Sequence, residues 1–578
     1  MKRLLTTACL FVVTATATVS FIAPTVFGQA QKANPSPAES VTARVDKLFA
    51  QWDKPDSPGC ALGIVKDGQL IYKRGYGMAN LDYNIPLSPK SVFNIMSMSK
   101  QFTAMSILLL AKQGKLSLDD DIQKYLPEIP RYQSPITIRH LIYHTSGIRN
   151  FIVLTELAGM TWENVRLTHD DFLELLARQK ELNHKPGEEY IYNNSNYFLL
   201  GQIVERVSGK PLREFADENI FKPLGMNNTY FLDDRALMVK NRATGYEPRS
   251  TGGFAVGLIV ESSGASGLYT SVEDLFLWDQ NFYNNKLGGE PDLIREQLST
   301  GILNNGEKLD YAFGLIVGEY KGLKTIHHGG SGDGFGHEMI RFPEQKFSVI
   351  RLCNAGDIST YVSATQVADI FLADQLKRGD GAVNETVAAA PRIVSIPEKE
   401  LASLTGLYFD PIKETIRRFY MKDGKLMIFN SVLSPLSQNR FKVVAGGPLG
   451  LEIVFGRPIA GGPMQVKFVR GGNTTTYDAV QNVDLPSAQL AEFTGKYHSD
   501  ELAGATYTLS IKDGRLILQV RNGITGDPKD ILLTPAFADA FFAFGESAIV
   551  RFTRNPQNAV SGFTLTTGGV RRLRFKKQ

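Results

Sequence analysis

The stretch Ser97-Met98-Ser99-Lys100-Gln101-Phe102-Thr103-Ala104-Met105-Ser106-Ile107-Leu108-Leu109-Leu110 carries no charge besides Lys100 and runs on to Gly114. That is the pattern of a buried helix with a glycine stop. It places Ser97 at the helix N-terminus and Lys100 one turn on, on the same face. A serine hydroxyl there meets the positive end of the helix dipole, which favours developing negative charge. A lysine one turn away takes its proton once burial or a neighbouring cation lowers its pKa. Taken alone the spacing decides little, because Ser-x-x-Lys recurs by chance with the lysine merely solvated.

Two further segments accompany it. Tyr192-Asn193-Asn194 lies in a polar stretch before a second apolar helix, Tyr197 to Val207. A tyrosine acts as general base only where cations stabilise its phenolate, which Lys100 can do. Asn194 offers an amide able to hold both the lysine and a substrate carbonyl; a surface tyrosine and a turn asparagine are the plain alternative. The third segment is His328-Gly329-Gly330-Ser331-Gly332-Asp333-Gly334-Phe335. Glycines on a strand edge let a substrate backbone pair closely with the strand, and a backbone N–H here can serve as an oxyanion donor. A plain glycine-rich turn is the competing reading. A metal cluster of His327, His328, Asp333 and His337 is disfavoured. No nucleotide-binding glycine motif or zinc-protease spacing is present.

Outward from these segments, Ser40 caps an amphipathic helix bearing Val41, Val45, Leu48, Phe49 and Trp52. Ala61–Lys66 and Gln69–Lys73 flank Asp67-Gly68, a hairpin signature. The chain reads mostly helical from Ser97 to Gly225. Strand signals return at Tyr311–Glu319, Lys324–His327, Glu338–Phe342 and Phe347–Cys353, with a closing helix over Thr365–Lys377. An early hairpin and late strands sharing one sheet, with helices inserted between, is an α/β arrangement. Residues 379–397 read as a linker between this domain (31–378) and the C-terminal part of the chain. Beyond it Glu400-Leu401-Ala402-Ser403-Leu404-Thr405-Gly406-Leu407-Tyr408 recurs as Gln489-Leu490-Ala491-Glu492-Phe493-Thr494-Gly495-Lys496-Tyr497. Lys422-Asp423-Gly424-Lys425-Leu426 likewise recurs as Lys512-Asp513-Gly514-Arg515-Leu516. Two ordered anchors at matching offsets give two homologous all-β, barrel-like units, 398–482 and 487–578.

The 578 residues carry 63 Lys+Arg against 59 Asp+Glu, with 43% hydrophobic residues. This is a multidomain length with an ordinary apolar fraction, which excludes wholesale disorder and gives no electrostatic case for nucleic acid. Residues 1–30 read as a signal peptide: Lys2 and Arg3, an apolar run from Leu4 to Ile22, and Gly28-Gln29-Ala30 as cleavage site. An uncleaved anchor is the alternative. With the leader removed, a secreted or periplasmic protein without a membrane span is expected. Of three cysteines only Cys60 and Cys353 lie past the leader, and they are expected as two buried thiols rather than a bridge.

In this order, the three segments resemble the serine β-lactamase and penicillin-binding protein superfamily. The resemblance is to its class C β-lactamase branch, whose second motif is Tyr-x-Asn and whose third is Lys-Thr-Gly or His-x-Gly. It spans roughly residues 41–377, including Cys60–Gly68, Gly75–Asn80, Leu141-Ile142-Tyr143-His144-Thr145-Ser146-Gly147 and Phe221–Met226. It implies an antiparallel sheet with an inserted helical subdomain, and a two-step acyl transfer through a serine ester with no metal or organic cofactor. Ser97 would be acylated, Lys100 its proton partner, and Tyr192 the base activating Ser97 and then water. Asn194, His328 and Gly330 would position substrate, and the N–H groups of Ser97 and Ser331 would form the oxyanion hole. His328 and Gly329 depart from the Lys-Thr of true class C enzymes. An imidazole titrating near physiological pH holds a substrate carboxylate less well than an ammonium, which argues against an efficient β-lactamase. A catalytic domain followed by two β units is similar to the D-aminopeptidase architecture. The expectation is therefore a secreted serine hydrolase of an amide or ester, acting on a small molecule or peptide, with D-amino-acid or small-ester substrates in view. A β-lactamase or D,D-peptidase, and a vestigial binding or sensing protein whose C-terminal units bind substrate or a partner, remain alternatives.

Overall fold

Cys60–Lys66 (β1) and Gln69–Tyr76 (β2) form the expected hairpin, turning at Asp67 and Gly68 with φ of 49° and 77°, as a type I′ turn requires. The structure, a computed structural model, describes residues 40–376 and 396–578. Within these it omits 161–166, 235, 258–262, 289–290, 359–361, 429–430, 444–450, 458–461, 471–472, 503 and 523–529. The leader at 1–30 lies outside the described residues, as does the linker at 379–397 apart from its last two residues. Ile316–Tyr320 (β3), Leu323–Gly332 (β4), Phe335–Phe342 (β5) and Phe347–Cys353 (β6) complete one antiparallel sheet of order β3-β4-β5-β6-β1-β2. Early hairpin and late strands thus share a sheet, as the sequence implies.

Period-two alternation buries both faces of β1. Ala61 and Val65 join the core under the inserted helices. Cys60, Leu62 and Ile64 pack against Val45 and Phe49 of the N-terminal helix Val41–Phe49 (α1) and Val367 and Leu372 near the closing helix Ala364–Phe371. Among the inserted helices, Lys100–Lys112 (α2) is buried on every side from Lys100 to Leu110, the all-round apolarity of a central helix. Phe151–Leu157 (α3) packs on Asn194–Ser208 (α4), which in turn packs on α2. No helix among the described residues is long and apolar enough to cross a membrane.

Two readings change. Cys60 and Cys353 are not free thiols: they form a disulfide. The β1/β6 register sets them directly opposite, with Cα atoms 4.0 Å apart, so their side chains leave the same face of adjacent strands. The strand expected from Tyr311 begins only at Ile316. Tyr311–Leu315 is a loop turned by Gly314 (φ 72°), where a Cβ would come within 2.4 Å of the Gln101 nitrogen. That close approach seats Tyr311 against α2.

The C-terminal part of the chain is two closed eight-stranded barrels, running from Gly406–Asp410 to Asn473–Val480 and from Gly495–His498 to Val570–Lys577. The internal repeat is visible at atomic level. Tyr408 donates to the Leu404 carbonyl (3.1 Å) as Tyr497 does to Phe493 (2.8 Å). Asp423-Gly424 and Asp513-Gly514 turn matching hairpins, and Pro435 and Pro535 mark matching register shifts. Aromatic side chains such as Phe419, Phe441 and Phe455 fill the first barrel. The second barrel shares a continuous hydrophobic core with the first domain, and its Tyr507 hydroxyl donates to the Leu157 carbonyl across the boundary. The first barrel has its own core and meets the second at Leu407, Ala536 and Phe542.

Candidate active site

The backbone turns sharply just before Ser97, with Met96 at φ 51°, a conformation that costs a residue with a Cβ energy. Met96–Ser99 forms a single 3-10 turn, and the α-helix begins at Lys100. Ser97 therefore lies in the 3-10 turn that leads into the helix rather than within the first α-helical turn. The turn is pinned from both sides. Ser99 donates its hydroxyl to the Met96 carbonyl (2.6 Å) and accepts from the Leu268 N–H (3.1 Å). His337 bonds the Asn94 carbonyl through Nε2 (2.8 Å), while its Nδ1 accepts from the Cys353 N–H (3.2 Å).

Lys100 is fully buried, and its Nζ lies within hydrogen-bond distance of three oxygens: Ser97 Oγ at 3.1 Å, Asn194 Oδ1 at 2.8 Å and the Ala265 carbonyl at 2.7 Å. Desolvation pushes its pKa well below the ordinary lysine value. Tyr192, just before the Asn193 cap of α4, lies with its ring 5.0 Å from Lys100 Nζ. Although 37% of the residue is open to solvent, desolvation of the hydroxyl dominates and raises its pKa, opposed by its hydrogen bonding to Ser97. These directions move Lys100 toward the neutral amine and hold Tyr192 toward the protonated phenol. Asn194 opens α4, whose N-terminus is capped by Asn193 accepting from the Ser195 N–H (2.9 Å).

His328 is buried and neutral, against the expectation that it titrates near physiological pH. Desolvation first, then the nearby Lys100 charge, lowers its pKa to about 3. The Gly329 carbonyl can only accept, so the 2.6 Å contact assigns the proton to Nδ1. Nε2 then accepts from the Tyr311 hydroxyl at 3.1 Å. Gly330 is required by packing: a Cβ there would stand 2.2 Å from the Ile95 carbonyl, so its absence lets β4 close on the turn bearing Ser97 and brings Ser331 alongside. Pairing of β3 with β4 ends at Ile316–His327. From His328 to Gly332, β4 thus has no β3 partner on that side, and the glycine segment is strand up to Gly332 rather than a plain turn.

Three contributors escape a reading of the sequence. Tyr311 is buried among His144, Tyr192 and His328, with ring centroids 4.7, 6.1 and 5.8 Å away. His144, at φ 57°, accepts through Nδ1 from the Asn193 N–H (3.1 Å), and its ring lies tilted against that of Tyr192 with centroids 4.4 Å apart. It lies in the family-like Leu141–Gly147 stretch, where nothing in the residue pattern marks it for the site. The Ala265 carbonyl, a main-chain group, gives no sequence signal at all.

This fold and this site define a serine hydrolase of the β-lactamase and penicillin-binding protein kind. The beta-lactamase family pattern matches residues 45–369, more than half of the 578 residues, and the chain belongs to that family. Over 500 residues it is 25% identical to a D-aminopeptidase of Gluconobacter oxydans (strain 621H), covering 85% of this chain and 89% of that protein. It is 30% identical over 314 residues to penicillin-binding protein 4* of Bacillus subtilis (strain 168), covering 51% of this chain and 68% of the relative. Among solved structures, the octameric penicillin-binding protein homologue from Pyrococcus abyssi superposes with a TM-score of 0.51 at 22% identity, over 86% of this chain and 98% of that one.

Proposed function

We propose that the protein hydrolyses amides of D-amino acids, or short peptides beginning with one, through an acyl-Ser97 intermediate. The observation that carries the reaction type is the buried Lys100 amine 3.1 Å from Ser97 Oγ. The substrate class is supported by the similarity to a D-aminopeptidase, which covers 85% of this chain and so runs past the catalytic domain. Lys100, its pKa lowered, takes the Ser97 proton as Oγ attacks the substrate carbonyl. The N–H groups of Ser97 and Ser331 hold the resulting oxyanion. As the C–N bond breaks, Tyr192 passes a proton to the departing amine and recovers one from Lys100. Water, deprotonated by the same pair, then attacks the ester, and Ser97 leaves with its proton restored. Asn194 orients the substrate amide and keeps Lys100 in place, and the open edge of β4 from His328 to Gly332 receives the substrate backbone.

Neutral His328 supplies no cation for the carboxylate of a penicillin or a cell-wall peptide, which supports an aminopeptidase over a β-lactamase or D,D-peptidase. Export is supported by the basic and apolar start of the chain and by the disulfide, which fits an oxidising compartment. Turnover of D-alanine p-nitroanilide against its L-enantiomer tests the substrate reading. A D-preference of tenfold or more is expected; preference for L, or cleavage of benzylpenicillin alone, contradicts it.

A further inference from the structure

Arg149 is joined to two parts of the molecule at once. Its side chain is fully buried and reaches the second barrel: Nη1 to Glu501 Oε2 at 2.6 Å, Nη2 to the carbonyls of Arg571 (2.8 Å) and Arg572 (3.3 Å). Its own carbonyl accepts the hydroxyl of Ser195 at 2.8 Å, and that hydroxyl in turn accepts from the Phe151 N–H at 2.7 Å. Ser195 adjoins Asn194 and lies three residues from Tyr192. The neighbouring Asn150 N–H donates to the Gly569 carbonyl of the last barrel hairpin (3.0 Å), and Asn193 Nδ2 donates to the Ile148 carbonyl. Glu501 adds a second tie, accepting from the Lys180 N–H at 2.7 Å. The segment 148–151 is therefore gripped by the barrel on one side and cradles the start of α4 on the other.

We infer that Arg149 is a positioning residue through which the second barrel fixes Tyr192 and Asn194 against Ser97. The barrel then serves the reaction directly rather than standing beside it. The inference rests on the acyl-Ser97 reading for its kinetic test. Two features give the linkage its force. A buried cation deprived of its carboxylate is strongly unfavourable, so the segment responds to loss of Glu501. Displacement of a catalytic group by about 1 Å can cost a hundredfold in rate. The exposed Lys180–Asp500 side-chain pair bridges the same interface at its rim; Lys180→Ala removes that pair but keeps the main-chain N–H that Glu501 accepts, so it serves as an internal control.

The test uses the full-length protein and its variants E501Q, R149K, S195A and K180A. Two readouts are taken: the stopped-flow acylation rate with p-nitrophenyl acetate, and amide hydrogen exchange of segment 191–197. For E501Q and S195A, acylation slows at least tenfold with KM little changed, and 191–197 exchanges faster. R149K, which keeps the charge but replaces the forked guanidinium with a single ammonium, falls between them and wild type. The E501Q/S195A pair is no slower than S195A alone, because both cut one chain of contacts. K180A matches wild type. If E501Q lowers the melting temperature while its acylation rate and the exchange of 191–197 stay at wild-type values, the barrel is only a stabilising partner and the inference fails. Should R149K not fold, E501Q and S195A carry the test. Absence of a burst in wild type defeats the serine-ester reading; the exchange of 191–197 then decides the inference alone, and unchanged exchange overturns it.

Discussion

The Tyr311 hydroxyl donates to Nε2 of His328 at 3.1 Å, while the other ring nitrogen of His328 is spent on the Gly329 carbonyl. The ring is thereby held in one tautomer, uncharged. Tyr311→Phe leaves a buried acceptor unpaired, an effect of about 1–2 kcal/mol, and is expected to lower kcat/KM about tenfold. Steady-state kinetics with an activated ester checks it, and an unchanged kcat/KM removes Tyr311 from the site.

Acid sensitivity follows from the same burial. His328 and His337 are both lowered to about 3, and His144 well below its ordinary value, chiefly by desolvation. Below pH 6.5 the unfolded chain gains protons that the folded chain refuses. His328 and His337 therefore each withdraw stability as pH falls from 6.5 toward 3, by up to about 1.4 kcal/mol per pH unit, and His144 acts in the same direction. Urea unfolding at pH 7, 6 and 5 is expected to show a steady loss that His337→Gln reduces; equal midpoints across this range contradict it.

Lys100 has the complementary signature. Its folded pKa lies below the unfolded value of 10.5, so between the two the unfolded state holds the extra proton and stability rises with pH. Above 10.5 both states are neutral and the gain is complete. Melting temperatures between pH 7 and 10 should rise more in wild type than in Lys100→Met, a variant with no measurable acylation. Parallel profiles indicate an unshifted lysine.

Gly329 and Gly330 are adjacent but differ in what a Cβ would meet. At Gly330 it strikes the Ile95 carbonyl at 2.2 Å; at Gly329 it comes no nearer than 3.4 Å to the His337 carbonyl. Gly330→Ala must push β4 away from the Ser97 turn, and a loss of at least a hundredfold in kcat/KM is expected. Gly329→Ala keeps activity within about fivefold, since a contact that long needs only slight adjustment. Equal effects in the two variants contradict this account of the strand.

The disulfide closes a loop of 293 residues between β1 and β6. Its loss in a Cys60→Ala/Cys353→Ala double variant is expected to cost about 3 kcal/mol of stability. The Cys353 N–H bond to His337 is main chain and survives, so kcat stays near wild type. Chemical unfolding and ester kinetics on the same preparation separate the two effects.

What the sequence discloses is local chemistry. Ser97, Lys100, Tyr192 and Asn194 announce themselves through short spacings next to apolar helices, and the structure brings Lys100 into contact with both Ser97 and Asn194. The β1–β2 hairpin and the barrel repeat are legible for the same reason, since dipeptides such as Asp67-Gly68 and Asp423-Gly424 dictate their own turns. Features set by distant register are not legible. Cys60 meets Cys353 only because β6 pairs with β1, and Tyr311 reaches His328 only because Gly314 turns its loop against α2. The charge of His328 depends on burial, which a local motif does not encode. Arg149 stands in an unremarkable loop, and its link to Glu501 spans 352 positions.

The most direct measurement is peptide mass mapping after rapid acid quench of the protein with p-nitrophenyl acetate, beside Ser97→Ala. The expected result is one acetyl group per molecule, on the peptide containing Ser97, absent in the variant. Acetylation elsewhere, or equal labelling of both proteins, would contradict an acyl-Ser97 mechanism.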